Sequence, residues 1–473
     1  MKSLFLELDL TMLDKLTILR ADRIVLAALL LAAPGRGLAA QSAAGPLDSV
    51  VAEALRSNVG LREESQAVAK AEAGLREARG RFFPSLSVDA RYSQLSSALN
   101  LGDFVNPAYA ALNQVVGADR FPTNIDVTIP FQWESRVRLT QPVFNASILA
   151  GHSLARHTAE GQRLQYATAA RGLAARAQSA FLDVGAARSA RRIRESTLAL
   201  VTESERVAQR LVDAGRATPD QVLRARADRS DAEQSLDAAR QTESATARAF
   251  NEILHRPLDT PVDELPDSLL RFAIPVTEDQ AVASALARRE ELGQAGAGVR
   301  AARAGVRLAS SSLIPSLAVA LDYGFQGQTV RLSGDNDFAA ASLVLGWTFS
   351  LGGSDLARRQ AAKADVERLR LRRTELEDQV RLDVRQSYEA AVVARDAIAT
   401  ADARLAAARR SFELVRRRYE EGLASQVEFI DARTAFTSAD LNRVITVYRY
   451  AIRYVDLERA AALRELGSSG RES

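Results

Sequence analysis

The most constraining feature of this 473-residue chain is that it contains one unit twice, at two different offsets. FPSLSVDARY (Phe83 to Tyr92) aligns with IPSLAVALDY (Ile314 to Tyr323) at an offset of 231, which also sets Ala54, Leu55 and Leu61 on Ala285, Leu286 and Leu292. Further along, GRATPDQVLRAR (Gly215 to Arg226) aligns with GLASQVEFIDAR (Gly422 to Arg433) at an offset of 207, which carries Phe181 onto Tyr388. Internal repetition makes each copy one supersecondary unit of a larger fold. The change of offset gives the first copy 24 extra residues, and the polar, Gly/Pro/Asn-containing stretch from Ser93 to Pro130 is the place for them. One hairpin is therefore expected to carry a much longer loop. Pro257, Pro261, Pro266 and Pro275 crowd the segment between the copies, where neither a helix interior nor a central strand tolerates them.

Within each copy the hydrophobic period predicts very long helices. From Leu369 the apolar positions run Leu376, Val380, Val384, Tyr388, Ala391, Ala394, Ile398, Ala401, Leu405, Ala408, Phe412, Val415 and Tyr419, nearly all three or four apart. A seam sustained from Leu356 to Glu421 implies a helix of about 100 Å at 1.5 Å per residue. Such a helix needs a partner along its whole length. The turn supplies one: Gly422 suits the left-handed position after a helix, and Ser425 with Glu428 three residues on forms a capping box for the next. In the other copy Gly215 ends a helix, Thr218 is the N-cap, Pro219 takes the first helical position and Gln221 replaces the glutamate.

At Pro84 and Pro315 the helical rhythm breaks and period-two alternation begins. Leu86, Val88, Ala90 and Tyr92 oppose Ser85, Ser87, Asp89, Arg91 and Ser93. The returning strand sets Phe131, Trp133, Val137, Leu139 and Val143 against Gln132, Glu134, Arg136, Arg138 and Thr140. The second copy repeats the pattern with Leu317, Val319, Leu321, Tyr323 and Phe325, then Ala341, Leu343, Leu345, Trp347 and Phe349. A soluble sheet lying on helices also alternates. Three features favour lipid: strands of about ten residues cross a bilayer at a tilt, both tryptophans lie in the returning strands, and the chain carries an export signal. Trp133, Trp347, Tyr92 and Tyr323 are the candidate interfacial aromatics.

That signal is the apolar run Ile24 to Ala33, preceded by Arg20 and Arg23 and followed by Pro34 and small residues, with cleavage expected after Ala39 or Ala40. Ten residues are too few to span a bilayer as a helix, which takes about 20. Without cysteine there are no disulfides or thiolate metal sites, and the three histidines form no ligand cluster. Basic and acidic residues, 62 against 59, are interspersed, so nothing calls for nucleic acid. There is no glycine-rich phosphate loop and no nucleophile beside a base, so an enzyme and a cofactor are not expected.

Four strands cannot close a barrel in lipid, where the smallest barrels have about eight and an open edge is not tolerated. The chain is therefore expected to oligomerise: two copies give a lumen filled by side chains, three an open pore, and a conduit favours three.

The layout resembles the TolC-type outer-membrane factor family, from about Pro46 to Leu466. The resemblance rests on the two PSL junctions (Pro84 to Leu86, Pro315 to Leu317), on QPVFNA and TFSLGG at the strand exits (Gln141 to Ala146, Thr348 to Gly353), and on the duplicated glycine turns, in that order twice. It implies a mostly α fold with transmembrane β: two tandem repeats of long coiled-coil helices plus a β-hairpin, giving four strands of a twelve-stranded trimeric barrel and a periplasmic α-helical tunnel. The implied function is an outer-membrane channel-tunnel subunit of a tripartite efflux or type I secretion system. Its partners would be two further copies of the chain, a periplasmic adaptor (membrane fusion) protein, an inner-membrane transporter and outer-membrane lipid. The competing reading is a periplasmic coiled-coil scaffold or adaptor without a channel.

In that family two acidic residues three apart on the second helix turn line the closed tip, and Glu428 and Asp431 occupy those positions, Glu428 departing from the usual aspartate. Glu428 is equally placed to serve the capping box, so Asp431 is the stronger pore-lining candidate. The first turn has Gln221 and Arg224 at the matching places. Adaptor contact is expected at the turns, through Gly215, Arg216, Thr218, Gly422, Leu423 and Ser425. The resulting division is a signal peptide over 1–40, repeat 1 over 46–256 with its hairpin at about 84–145, a Pro-rich linker over 257–276, repeat 2 over 277–467 with its hairpin at about 315–351, and a flexible tail over 468–473.

Overall fold

The computed structural model describes residues 46–94, 99–129, 133–264, 270, 272–327, 336–348 and 350–465. The expected signal peptide and tail, together with Phe131, Gln132, Pro266 and Phe349, lie outside the described residues. The elements are α1 (Pro46–Ser57), α2 (Val59–Gly80), β1 (Ser85–Tyr92), β2 (Leu99–Asn100), α3 (Gly102–Val116), β3 (Thr128–Ile129), β4 (Trp133–Phe144), α4 (Ala146–Asp213) and α5 (Pro219–Ile253), then α6 (Glu278–Arg288), α7 (Glu290–Ser310), β5 (Ser316–Gly327), β6 (Asp337–Gly346), α8 (Ser354–Glu420) and α9 (Gln426–Ala460).

The two long helices, α4 of 68 residues and α8 of 67, each run about 100 Å at 1.5 Å per residue. Each turns back into a 35-residue partner, α5 or α9, and lies along it. The repeat is visible in the element bounds: α2 and α7 correspond at the first offset, α5 and α9 at the second. Even the break in the leading helix recurs, at Asn58 in one copy and Arg289 in the other. Asn58 Oδ1 accepts the Leu61 N–H at 3.0 Å while its Nδ2 donates to the Ile253 carbonyl at 2.9 Å, so one side chain starts α2 and ties it to the end of α5.

Helices α2, α4, α7 and α8 pack in that order side by side, and α9 also lies against α4. Alanines at the seams (Ala159, Ala170, Ala177, Ala391, Ala451) let the backbones approach closely, and larger groups fill the wider places. Phe181 and Phe250 meet with ring centroids 5.4 Å apart, a contact worth about 0.5–1.5 kcal/mol beyond its area. Leu270, from between the repeats, is buried with Leu182, Val447 and Tyr448 and joins the core there.

The sheet has the order β1-β4-β5-β6, antiparallel throughout, with a register irregularity between Pro142 and Phe144. Its apolar face is bare. Leu86, Val88, Leu343 and Leu345 are 67 to 70% exposed, and no helix packs across the sheet among the described residues. A water-soluble sheet would bury that face on something; this one is left for lipid. β1 and β6 are unpaired edges, which lipid does not tolerate.

Three expectations need correction. The extra residues of the first hairpin are not a plain loop: they hold α3 and the short β2–β3 pair. Trp347 lies one residue beyond β6 rather than within the returning strand. Thr218 is the N-cap of α5 by backbone geometry, but its hydroxyl makes no capping hydrogen bond; the Gln221 N–H goes to the Thr218 carbonyl instead.

Candidate functional site

At the end of the helices far from the sheet, the turns α4–α5 and α8–α9 come together. Both long helices end on a glycine in the left-handed region, Gly215 at φ 67° and Gly422 at φ 76°, where a Cβ is disfavoured. Each glycine N–H bonds back to a helix carbonyl (Gly215 to Val212 at 2.9 Å, Gly422 to Tyr419 at 3.0 Å), and the next residue reaches one further (Arg216 to Leu211 at 2.8 Å, Leu423 to Arg418 at 2.7 Å). This 6→1, 5→2 pair closes both helices and satisfies carbonyls that a helix end otherwise leaves open. The turns are neighbours: a Cβ on Gly422 would lie 3.5 Å from an Arg216 Nη atom.

Ser425 starts α9 with both halves of the capping box. Its hydroxyl accepts the Glu428 N–H at 3.2 Å, and Glu428 Oε2 accepts the Ser425 N–H at 2.8 Å. The bonds from Ser425, first the backbone N–H and also the hydroxyl, hold the Glu428 carboxyl below its ordinary pKa, with Arg418 helping. Asp431, one turn on, is exposed and makes no side-chain hydrogen bond or ion pair among the described residues. The two acidic positions are thus chemically unlike: one carboxylate is engaged with backbone, the other is free.

Below these groups the tip is tied across the repeats. Gln426 Nε2 donates to the Gln221 carbonyl at 2.9 Å, and buried Arg433 grips Asp228 at 2.5 and 2.8 Å. Arg224 of the first turn pairs with Asp220, at 3.7 Å. A cluster of Phe412, Tyr419, Phe429 and Phe436, backed by Leu200 and Val207 of α4, fills the space between the hairpins. Phe412 stacks on Phe436 at 5.5 Å and Tyr419 on Phe429 at 4.8 Å. Burial raises the Tyr419 pKa, and its hydroxyl has no hydrogen-bond partner among the described residues. The Arg433–Asp228 link was not read from the sequence, and the repeat gives no signal for it: Arg226, which matches Arg433, pairs with Glu205, and Asp228 is matched by Ala435.

At the tip, Leu423 is 66% exposed and Arg216 and Ser425 lie beside it on the turns. On the sheet, Tyr92 and Trp133 pair across strands with ring centroids 4.7 Å apart, at the end next to the long loop. Tyr323 is exposed and its hydroxyl donates to Asp337 Oδ2 at 3.2 Å. Trp347 is exposed at the opposite end, where the chain leaves β6 for α8. Among the described residues no three His, Cys, Asp or Glu side chains are grouped to hold a metal, and no helix is long and apolar enough to cross a membrane.

A sequence model of the family described as outer membrane efflux protein matches residues 50–253 and 281–463. The outer membrane efflux protein BepC of Brucella suis biovar 1 (strain 1330) is 25% identical over 287 residues, covering 58% of this chain. The matched stretch spans 61% of that relative's length. Among solved structures, the outer-membrane channel OprN superposes with a TM-score of 0.71 at 18% identity, covering 88% of this chain and 89% of that one. The Campylobacter jejuni CmeC outer membrane channel superposes with a TM-score of 0.71 at 16% identity, covering 88% of this chain and 85% of that one. At these identities the likeness is one of fold.

Proposed function

This chain belongs to the outer membrane efflux protein family, whose members are channels and not enzymes, and from that premise we propose that it is the channel-tunnel subunit of a tripartite efflux or type I secretion system. The observation that carries the reading is the sheet: four strands with one bare apolar face and two unpaired edges, continuous with helices about 100 Å long. The alternating directions of β1 and β6 let β6 of one copy pair antiparallel with β1 of the next, and three copies of four strands make a twelve-stranded barrel. Helices α2 and α8 are likewise the free flanks of the helical layer, so the same symmetry closes a tunnel. Trp347 at one end of the strands and Tyr92, Trp133 and Tyr323 toward the other suit the two membrane interfaces.

The tip of α4–α5 and α8–α9 then lies in the periplasm, where Asp431, with Glu428 as its weaker companion, forms the constriction. Carboxylates from three copies around one axis attract cations. The exposed turn residues Gly215, Arg216, Thr218, Gly422, Leu423 and Ser425 are the surface offered to a periplasmic adaptor, which brings an inner-membrane transporter. Purified in detergent and placed in planar bilayers, the chain should conduct as a trimer and be blocked from the tip side by multivalent cations. The Asp431→Asn, Glu428→Gln variant should lose most of that block; full retention would remove both residues from the constriction. Detergent-independent solubility of the mature chain would instead favour a periplasmic scaffold.

A further inference from the structure

The register of the sheet puts six charged side chains on one face. Asp89 stands opposite Arg136, Arg91 opposite Glu134, and Arg138 opposite Asp322, and the alternation sets Leu86, Val88, Val137, Leu139 and Tyr323 on the other. Three of the six are acidic and three basic, and each has its opposite on the neighbouring strand. Arg138 grips Asp322 at two points, Nε to Oδ1 at 2.6 Å and Nη2 to Oδ2 at 2.9 Å. Arg136 Nε is 3.5 Å from Asp89 Oδ2, and Arg91 Nη1 is 4.0 Å from Glu134 Oε2. On the same face β6 contributes Phe338, Ala340, Ser342 and Val344, none of them charged.

If the bare apolar face meets lipid, the charged face lines the lumen; the inference rests on the channel reading in that respect. We propose that the barrel lumen of this channel is charge-compensated strand by strand, so that it does not select solutes by the sign of their charge, and that the Arg138–Asp322 pair maintains that neutrality. A ring of one sign around a pore selects ions of the other. Here each charge is matched within its own sheet face, and the fields of such pairs fall away within roughly a Debye length of 8 Å. The preference for cations is left to the tip carboxylates.

Arg138–Asp322 carries the most weight because of where it sits and how it is held. It lies near the middle of β4 and β5, whereas the other two pairs lie toward the long-loop end. The Asp322 side chain is only 9% exposed and that of Arg138 36%, while both partners of the outer pairs are between 44 and 73% exposed. A sheltered charge that loses its partner stays uncompensated, and one facing open water is screened. β6 brings no charge to this face, so beyond each other the two groups feel chiefly Arg136 and Asp89, on strands β4 and β1.

The test is the reversal potential of the full-length trimer in planar bilayers under a salt gradient, recorded in the wild type and in the Asp431→Asn, Glu428→Gln background that silences the tip. In that background the unaltered barrel should be nearly unselective. Asp322→Asn should shift the cation-to-anion permeability ratio toward anions by roughly two-fold or more, and Arg138→Gln toward cations by a similar factor. The exchange Arg138→Asp with Asp322→Arg should return it to the neutral value, which a general loosening of the barrel would not do. Should either single variant fail to assemble, Asp89→Asn and Arg136→Gln are expected to move the ratio in the same two directions by smaller factors. A channel that conducts normally while none of these variants moves the ratio overturns the inference and leaves the channel reading standing. A wild-type chain that forms no channel removes both.

Discussion

Arg433 and Asp228 are joined across the two return helices by a two-point bridge, Nη1 to Oδ2 at 2.5 Å and Nη2 to Oδ1 at 2.8 Å, although 205 residues separate them in the chain. The planar guanidinium fork matches the carboxylate, and with the Gln426–Gln221 bond it couples the second repeat to the first just above the turns. The Arg433 side chain is 6% exposed and that of Asp228 22%, so water does little to replace either partner.

Replacing Arg433 by methionine keeps most of the buried stem and strands the Asp228 carboxylate. Removing one partner of a buried pair costs about 3–5 kcal/mol, and the partial exposure of Asp228 places this case at the lower end. The tip of R433M should therefore be cut by limited proteolysis at the Gly215 and Gly422 turns about ten-fold faster or more. Adding Asp228→Leu should restore much of the protection, because a hydrophobic pair of similar volume replaces the ionic one. Equal cleavage rates in wild type and R433M would show that the aromatic cluster alone holds the tip.

The cap on α9 should depend on pH, and the sign follows from the lowered pKa of Glu428. Folding favours the ionised form, so the cap's contribution is complete above the ordinary glutamate pKa and is lost as pH falls through the lower folded value. Hydrogen exchange of the tip peptide, corrected for intrinsic rates, should thus show protection at Ser425 and Glu428 that weakens in acid. Glu428→Gln should keep a neutral capping box and flatten the profile. An identical acid dependence in the variant would assign the effect to some other group.

The long elements were legible because one physical rule dominates each. A 3.6-residue apolar period needs a buried stripe, and Val380, Val384, Ala391, Ala401, Phe412 and Tyr419 are all buried along α8 as that period requires. The strands alternate because one face meets lipid. What escaped was structure made by polar side chains at a distance. α3 has a proline inside it and asparagines around it, which read as loop residues, yet those asparagines replace a core. Asn113 Oδ1 accepts the Arg120 and Phe121 N–H groups at 3.0 and 2.9 Å, and Asn106 exchanges two bonds with the Ile125 backbone at 2.8 and 2.9 Å. At the tip the acidic pair Glu428 and Asp431 was visible in the sequence, and so was the capping box that sets Glu428 apart, because Ser425 and Glu428 stand at the spacing that box requires. The structure adds its geometry, with Glu428 Oε2 accepting the Ser425 N–H at 2.8 Å.

The sheet should be least tolerant at Gly324, which faces Arg136 across the β4–β5 ladder. A Cβ there would lie 2.1 Å from the Ser135 carbonyl oxygen and 2.8 Å from Arg136 Cα, both backbone atoms of the paired strand that cannot turn aside. Gly324→Ala must therefore open the ladder at the pair that sets Arg136 in register. In lipid each freed backbone group costs several kcal/mol, because no water replaces the lost partner. Gly346→Ala is the matched control: its Cβ meets only the Ser316 hydroxyl, at 3.2 Å, and that side chain can rotate. The expected outcome is that Gly346→Ala gives trimers with the heat-modifiable migration of a membrane barrel, while Gly324→Ala keeps helical circular dichroism and loses that migration. Should both variants assemble alike, the β4–β5 contact must be looser than the close approach at Gly324 requires.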